Sequence, residues 1–292
     1  RRAVEGIATQ FDIAPVDAIG EPVLHEDHTV TFTQQEGRNG RAVDVDATLA
    51  KIVETFQRGI YTAQLDGVWN TVEPAITAAM LSEQIALRGS YTTRYATIGK
   101  TSEETPTIEN RVFNIQKAAD MINGCMIADG ESWSFNDFVG ERSLEKGWKE
   151  ANGIANGKEY VLQAGGGICQ VSTTLYIALL RAGAMRSDVE ATAQEALAAP
   201  INITERNNHS WPSSYADRGL DATVTTGGKN LVFINQMDTP LYIFAYCDQE
   251  NYKMNIYIYG QPLPDGLRYE PEGVTVEELQ PGETQYTDNP DW

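Results

Sequence analysis

Apolar residues recur at intervals of three and four positions in three stretches of the chain, which is the period of an amphipathic helix. These stripes cover residues 49–56, 112–122 and 168–182. Asp46 precedes the first stripe as a candidate N-cap, and Gly59 stands where that helix would end. The pattern therefore predicts three helices, each with one face toward a core.

Segments that alternate in polarity, or are rich in β-branched and aromatic residues, predict strands. The predicted strands cover residues 29–33, 90–95, 133–135, 221–225, 231–234, 241–246 and 254–259. Those after residue 208 are expected to form an antiparallel sheet. Between the third helix and this sheet, residues 187–200 fit either a short surface helix or an inserted loop. The pattern as a whole predicts the α+β class.

Composition suggests where this α+β chain divides. Residues 101–107 contain Ser, Thr, Glu and a proline, which is the composition of a linker. We expect a small α+β module over residues 1–100 and a helix-plus-antiparallel-sheet domain over residues 101–264. The acidic, proline-containing residues 265–292 are expected to be an extended tail or the start of a further module.

Charge and length restrict the classes of function. The 292 residues can bury one large core or two ordinary ones. With 22 Lys and Arg against 41 Asp and Glu, the net charge is −19, so the chain repels phosphate backbones and nucleic acid is not an expected partner. No apolar run is long enough to span a bilayer, and the chain opens with Arg1 instead of Met. We expect a fragment whose signal or membrane anchor lies outside this sequence.

The third helical stripe begins with the most informative feature of the chain. Gly165, Gly166 and Gly167 lead directly to Cys169 on the first turn. A thiol at a helix N-terminus lies beside unpaired N–H groups and the positive end of the helix dipole, which favour the nucleophilic thiolate. Alternatively, the glycines only form a tight turn and Cys169 is a small buried hydrophobe.

A thiol nucleophile needs a base, and the chain has three histidines. His209 follows Cys169 by 40 residues, and Asp221 follows His209 by 12, which is the order of a Cys-His-Asp arrangement. The alternative is a structural turn in which Asp221 ends a strand. His25 and His28 form too weak a pair for zinc, so no metal site or cofactor is expected.

Five segments in order resemble the VanW-like family, which takes its name from an accessory protein encoded with vancomycin-resistance genes. They are residues 114–123, 135–142, 165–176, 209–212 and 219–224. Residues 187–203 are longer than the family's usual connection. Residues 35–95 resemble, more weakly, a peptidoglycan-binding module that precedes such domains. Both resemblances imply an exported or membrane-anchored protein of the bacterial cell envelope, with peptidoglycan or its precursors as partner.

These observations together predict an extracytoplasmic cell-envelope protein with two alternative activities. In the first, Cys169, His209 and Asp221 perform acyl transfer or amide hydrolysis on a stem peptide. In the second, the protein is a non-catalytic wall-binding or scaffold module. Arg142 could bind a substrate carboxylate or form a salt bridge with a nearby acid, and Trp211 could line a groove or pack in the core. The candidate binding residues are Gly165, Gly166, Gly167, Gln170, Arg142 and Trp211.

Overall fold

A computed structural model describes residues 1–25, 30–75, 77, 85–95, 105–155, 159–190, 192–209, 213–264 and 267–273. These residues form helices and mainly antiparallel sheets, so the protein belongs to the α+β class as predicted. None of the described helices is both long enough and apolar enough to cross a bilayer.

The described residues of the N-terminal part form two helices and two hairpins. The helices are α1 (Arg2–Phe11) and α2 (Val45–Gln57). The hairpins are β1 (Ile19–Leu24) with β2 (Val30–Gln35), and β3 (Gly40–Val43) with β4 (Trp69–Val72).

The cap of α2 differs from the sequence prediction. Asp44 is the N-cap, and its side chain accepts a hydrogen bond from the Ala47 amide at 2.8 Å. Asp46 lies inside the first turn, where a negative charge suits the helix dipole but the side chain cannot cap the helix end. Gly59 follows the helix with a φ of 79°, a conformation that favours glycine.

The C-terminal part contains the remaining elements. Its helices are α3 (Thr105–Ile122), α4 (Phe135–Val139), α5 (Ile168–Arg181) and α6 (Ala193–Ala196). One four-stranded sheet is antiparallel and consists of β5 (Ala86–Arg94), β14 (Lys253–Gly260), β13 (Leu241–Asp248) and β6 (Cys125–Ile127). The other consists of β10 (Ala184–Arg186), β11 (Ile201–Arg206), β12 (Leu231–Asn235) and β7 (Ser132–Ser134), with β10 and β11 parallel. A separate hairpin joins β8 (Glu150–Ala155) and β9 (Glu159–Ala164).

The strands therefore divide differently from the sequence prediction of one antiparallel sheet after residue 208. β12 pairs with β11 and β7, whereas β13 and β14 pair with each other in the second sheet. Residues 221–225 are not a strand, because their backbone bonds to side chains of α5 and to a loop rather than to a neighbouring strand. Phe135 begins α4 instead of continuing a strand, because the Ser134 hydroxyl caps the helix by accepting from the Asp137 amide.

Strand β5 pairs along its whole length with β14. It thus joins the sheet of the C-terminal part although it precedes the boundary predicted near residue 100. The division into residues 1–100, 101–264 and 265–292 itself stays a prediction. Of the last segment, residues 267–273 are described, and Glu270 forms an ion pair with Arg181 of α5 at 2.5 Å.

Helix α5 lies at the centre of the core. Residues 170–179 are buried on every side, not only along the predicted apolar stripe. One side packs on β5 and β14, and the polar side carries Ser172 and Thr173 against residues 221–225. The buried helix thus fixes Cys169, at its first turn, relative to that segment.

Candidate functional site

The glycine turn before α5 requires glycine at each position. Gly165 and Gly167 have φ values of 79° and 107°, in the left-handed region that L side chains rarely adopt. A Cβ on Gly166 would lie 2.3 Å from the Ala151 carbonyl oxygen of β8. The turn therefore packs directly against β8 and places Cys169 in the first turn of the buried helix α5.

Cys169 is half-buried at this helix start. Its Sγ lies 3.3 Å from the Thr223 hydroxyl oxygen and 3.4 Å from the Val224 carbonyl oxygen. Both neighbours belong to the extended segment 221–225. The thiol therefore contacts polar atoms and is not enclosed by aliphatic side chains alone.

His209 and Asp221 form a tight pair in the same site. The imidazole Nδ1 lies 2.6 Å from Asp221 Oδ2, and the His209 backbone N–H donates to the same oxygen at 2.7 Å. Both side chains are nearly buried, with 7% and 8% of their surface exposed. The carboxylate therefore fixes the ring orientation and holds the proton on Nδ1.

Arg206 supports this pair from β11. Its Nε donates to the Asp221 carbonyl oxygen and one terminal nitrogen donates to the Gly219 carbonyl oxygen, both at 2.6 Å. The guanidinium also lies 3.7 Å from Asp221 Oδ1. The Asp221 carboxylate is thus held between two cationic side chains, the histidine and the arginine.

These contacts shift the titration of all three predicted residues. Burial raises the pKa of the Cys169 thiol, but hydrogen bonding to His209 and the charge of that ring outweigh burial and lower the pKa below its ordinary value. Burial lowers the pKa of His209, whereas Asp221 and Cys169 raise it to about 9. Burial raises the pKa of Asp221, but His209 and Arg206 hold it below the usual range. The shifts favour a thiolate beside an imidazolium.

The pKa values of the other two cysteines shift in the opposite direction. Burial raises the pKa of Cys125, and burial raises the pKa of Cys247 to about 12. Cys169 is therefore the cysteine whose surroundings favour the thiolate.

The polar face of α5 positions the segment that contacts the thiol. The Ser172 hydroxyl donates to the Ala222 carbonyl oxygen at 2.6 Å, and the Thr173 hydroxyl accepts from the Ala222 amide at 2.9 Å. The Thr223 amide donates to the Asn207 carbonyl oxygen at 2.7 Å. Helical hydroxyls thus replace a neighbouring strand as the partners of this backbone, and they set the position of Asp221.

A cavity of about 1130 Å³ opens at this site. The structure brings several of the predicted residues to its wall, and Asp221 stands behind His209. The predicted residues on the wall are Cys169, His209, Gly165, Gly167, Gln170 and Arg142. Gly166 lies against β8 instead, and Trp211 falls outside the described residues, so its predicted role stays a prediction.

The Gln170 side chain forms hydrogen bonds within the protein. Its amide nitrogen donates to the Thr93 hydroxyl oxygen at 2.9 Å and to the Arg94 carbonyl oxygen at 2.7 Å, and its amide oxygen accepts from Arg111 at 2.6 Å. The side chain therefore ties α5 to β5 and α3, a structural role beside the binding role that its position predicts.

Within the described part of the chain, Arg142 does not form the salt bridge that the sequence suggests as one alternative, and its other predicted role, binding a substrate carboxylate, stays a prediction. One terminal nitrogen, Nη1, donates to Asn136 Oδ1 and to the Gly140 carbonyl oxygen, both at 2.9 Å. The other, Nη2, is buried and has no hydrogen-bond partner among the described residues. No described carboxylate forms a salt bridge with it.

Sequence reasoning missed Thr223, Arg206 and Tyr215 as residues of the site. Tyr215 lines the cavity, and burial raises the pKa of its phenol, which stays protonated. Thr223 contacts the thiol and Arg206 binds the backbone around Asp221, and no local sequence motif predicts these contacts. The one available signal is the short distance of Thr223 from Asp221 along the chain.

No group of three or more His, Cys, Asp or Glu side chains in the described ranges could hold a metal ion. His25 bonds to the Thr31 hydroxyl at 2.5 Å, and its predicted neighbour His28 lies outside the described residues.

Fold and site together define an α+β protein in which a cysteine on a buried helix and an aspartate-bound histidine line the same cavity. The family described as VanW like protein matches residues 110–194 and 191–257, about half of the chain. The chain belongs to this VanW-like family, as the sequence resemblance predicts. The resemblance of residues 35–95 to a peptidoglycan-binding module stays a prediction.

Two curated relatives match part of the chain. An uncharacterized protein of Bacillus subtilis, YoaR, is 32% identical over 178 residues, which cover 61% of this chain and 49% of that protein. The vancomycin B-type resistance protein VanW of Enterococcus faecalis is 30% identical over 159 residues, covering 53% of this chain and 51% of that protein. The chain thus spans about half the length of these relatives. No solved structure matches it.

Proposed function

We propose that this is an extracytoplasmic cell-envelope protein that acts on the peptide part of peptidoglycan or its precursors through Cys169. The observation that carries the proposal is the coupling of Cys169 to an Asp221-bound His209 at the wall of a cavity. A thiol with a lowered pKa, a base and a group that orients the base is the minimal arrangement for acyl transfer through a thioester.

The proposed reaction proceeds in two balanced steps. The Cys169 thiolate attacks the carbonyl carbon of an amide, the C–N bond breaks, and the leaving amine takes the proton from the His209 imidazolium. Water or an acceptor amine then attacks the carbonyl carbon of the thioester, and His209 accepts the proton that this nucleophile loses. The C–S bond breaks, which releases the acyl product and restores the Cys169 thiolate. Water gives hydrolysis and an amine gives acyl transfer.

The oxyanion that forms in each step needs N–H donors at the first turn of α5. The Ile168 amide already donates to the Gly165 carbonyl oxygen at 3.2 Å. The Cys169 amide follows it on the same turn. We therefore assign the oxyanion contact to the Cys169 amide, aided by the positive end of the helix dipole.

Support for the cell wall as the place of action comes from the family. One relative carries vancomycin resistance in its name, and the resemblance to the family implies a protein of the cell envelope. Since this chain spans about half of each relative, the association with glycopeptide resistance is part of the proposal.

The test is release of an amine from wall-type stem peptides by the purified protein. Cys169→Ser should abolish release, and His209→Ala should lower it by about 10²-fold or more, since each removes a member of the reacting pair. Cys125→Ser, at a half-buried cysteine of β6 outside the cavity, is the matched control and should keep full activity. Equal release by the unaltered protein and Cys169→Ser would refute the reaction.

A non-catalytic wall-binding or scaffold module is the second candidate. The 3.4 Å contact between Cys169 Sγ and the Val224 carbonyl oxygen favours it, because a neutral thiol donating to a carbonyl is a structural arrangement. Under this function, Cys169→Ser binds wall material as well as the unaltered protein does, and no amine is released by either.

A further inference from the structure

The wall of the cavity has the opposite charge to the protein. The chain as a whole has 41 acidic against 22 basic side chains. Among the described residues on the wall, Arg94, Arg111, Arg142 and His209 are basic, and none is Asp or Glu. A positively charged cavity in a negatively charged protein attracts anionic ligands.

The basic groups differ in what they already bind. Arg111 donates to the Tyr95 carbonyl oxygen and to Gln170 Oε1, both at 2.6 Å. Asp221 binds His209 from behind the wall. Arg142 keeps one buried terminal nitrogen without an acceptor among the described residues.

Arg142 also lies beside the turn that carries the thiol. A Cβ placed on Gly165 would meet Arg142 Cγ at 2.9 Å and Ile168 Cδ1 at 2.8 Å. The arginine stem therefore packs over the first glycine of the turn, and Cys169 follows four positions later. In addition, burial lowers the pKa of Arg142, and the charge of the Cys169 thiolate opposes this shift in part. The guanidinium and the thiol thus face the same part of the cavity.

We propose that the cavity takes peptides that carry a carboxylate close to the amide bond presented to Cys169, and that Arg142 binds this carboxylate. Cleavage of the amide bond by Cys169 rests on the proposed function, whereas the binding of an acidic peptide by the cavity does not. Asn136 and Gly140 hold the guanidinium plane through its other terminal nitrogen, so the free side meets the ligand in a fixed orientation.

The carboxylate could come from either of two parts of a peptide. It is the C-terminal carboxylate, or it is an acidic side chain near the scissile bond. Three acetylated tetrapeptides separate these sources. One has a free C-terminus and no other acid, the second is its C-terminal amide, and the third is the amide with a glutamate at the penultimate position.

Binding is measured by calorimetry in a Cys169→Ala background, in which no turnover occurs. We expect one acidic peptide to bind at least about tenfold more tightly than the neutral amide, because a charge-assisted pair with arginine is strong in a partly desolvated cavity. The peptide that binds more tightly identifies the source of the carboxylate. In Arg142→Gln the preference should fall below about threefold.

Arg58→Gln is the matched control, since Arg58 is an exposed arginine at the end of α2. It should keep the full preference. Arg142→Lys, which keeps the charge but loses the planar fork, should retain part of the preference and guards against a folding defect in Arg142→Gln.

Three results would overturn the assignment. The neutral amide binds as well as both acidic peptides, the preference survives in Arg142→Gln, or none of the peptides binds at millimolar concentration. Each leaves the amine-release test untouched, because that test depends on Cys169 and not on peptide charge. Conversely, tighter binding of an acidic peptide without any amine release would support the carboxylate site and contradict the catalytic function.

Discussion

His209 and Asp221 are joined twice through a single atom: Asp221 Oδ2 accepts from the ring Nδ1–H at 2.6 Å and from the His209 backbone N–H at 2.7 Å. The double contact fixes both the position of the residue and the orientation of its ring. Since Nδ1 is occupied, Nε2 remains for the thiol. The pair is therefore the element that converts a cysteine at a helix start into a candidate nucleophile.

Alkylation of Cys169 should remain fast well below the ordinary thiol pKa of about 8.5. The pKa of Cys169 is lowered, so the thiolate persists as the pH falls until that lowered pKa is passed. His209→Ala should move the profile to higher pH, because it removes the hydrogen bond and the charge that oppose the effect of burial on the pKa. Mass mapping of labelled peptides gives the rate at each cysteine.

Cys125 and Cys247 are internal controls in this experiment. Burial raises the pKa of both, that of Cys247 to about 12, so neither should label appreciably at neutral pH. A Cys169 rate that follows an ordinary thiol profile, or that is unchanged by His209→Ala, would contradict the thiolate–imidazolium pair.

Asp221→Asn should weaken both the site and the fold. Without the carboxylate, the pKa of His209 falls from about 9 toward its ordinary value, and Cys169 labelling at neutral pH slows. The buried Arg206 and His209 lose their partner, which costs about 3 kcal/mol of unfolding free energy. Chemical denaturation and alkylation measure the two effects.

The stability difference between Asp221→Asn and the unaltered protein should also depend on pH. The folded pKa of Asp221 lies below the unfolded value of about 3.9. Its contribution is therefore complete above about pH 4 and is lost as the pH falls through the lowered folded pKa. A difference that grows as the pH falls below about 4 would contradict this sign.

Thr173→Val should displace the segment that positions Asp221. The substitution removes the hydroxyl that accepts from the Ala222 amide at 2.9 Å, and leaves a buried donor unpaired. We expect a loss of about 2 kcal/mol of unfolding free energy and slower Cys169 labelling. Thr55→Val on the exposed face of α2 removes a hydroxyl bond to the Lys51 carbonyl and serves as control. Equal stability of the two variants would show that the α5 hydroxyls do not hold the segment.

Gly166→Ala should destabilise the turn before Cys169. The new Cβ would lie 2.3 Å from the Ala151 carbonyl oxygen, so β8 or the turn has to move, at about 3 kcal/mol. Gly6→Ala in α1, where nothing lies within 4 Å of the new Cβ, should instead stabilise the protein slightly. Similar effects of both substitutions on thermal unfolding would exclude close packing as the reason for Gly166.

The α+β class and most of the longer elements follow from the sequence. The apolar stripes locate α2, α3 and α5, and the alternating segments locate β12, β13 and β14, because each pattern reflects the local geometry of its element. The cap of α2 lies two residues before the predicted one, although its hydrogen bond spans only three residues. The division of the strands between two sheets did not follow, since hydrogen-bond partners far along the chain decide it.

The sequence by itself determined that Cys169 begins a helix after three glycines, because the glycine turn and the helical period are local properties of the chain. Only the tertiary structure decided that His209 lines the same cavity as this thiol and that Asp221 binds the histidine. That decision depends on the hydroxyls of Ser172 and Thr173, which hold the backbone around Ala222 in place of a strand. Such contacts connect residues about 50 positions apart, and no local preference specifies which buried backbone group they satisfy.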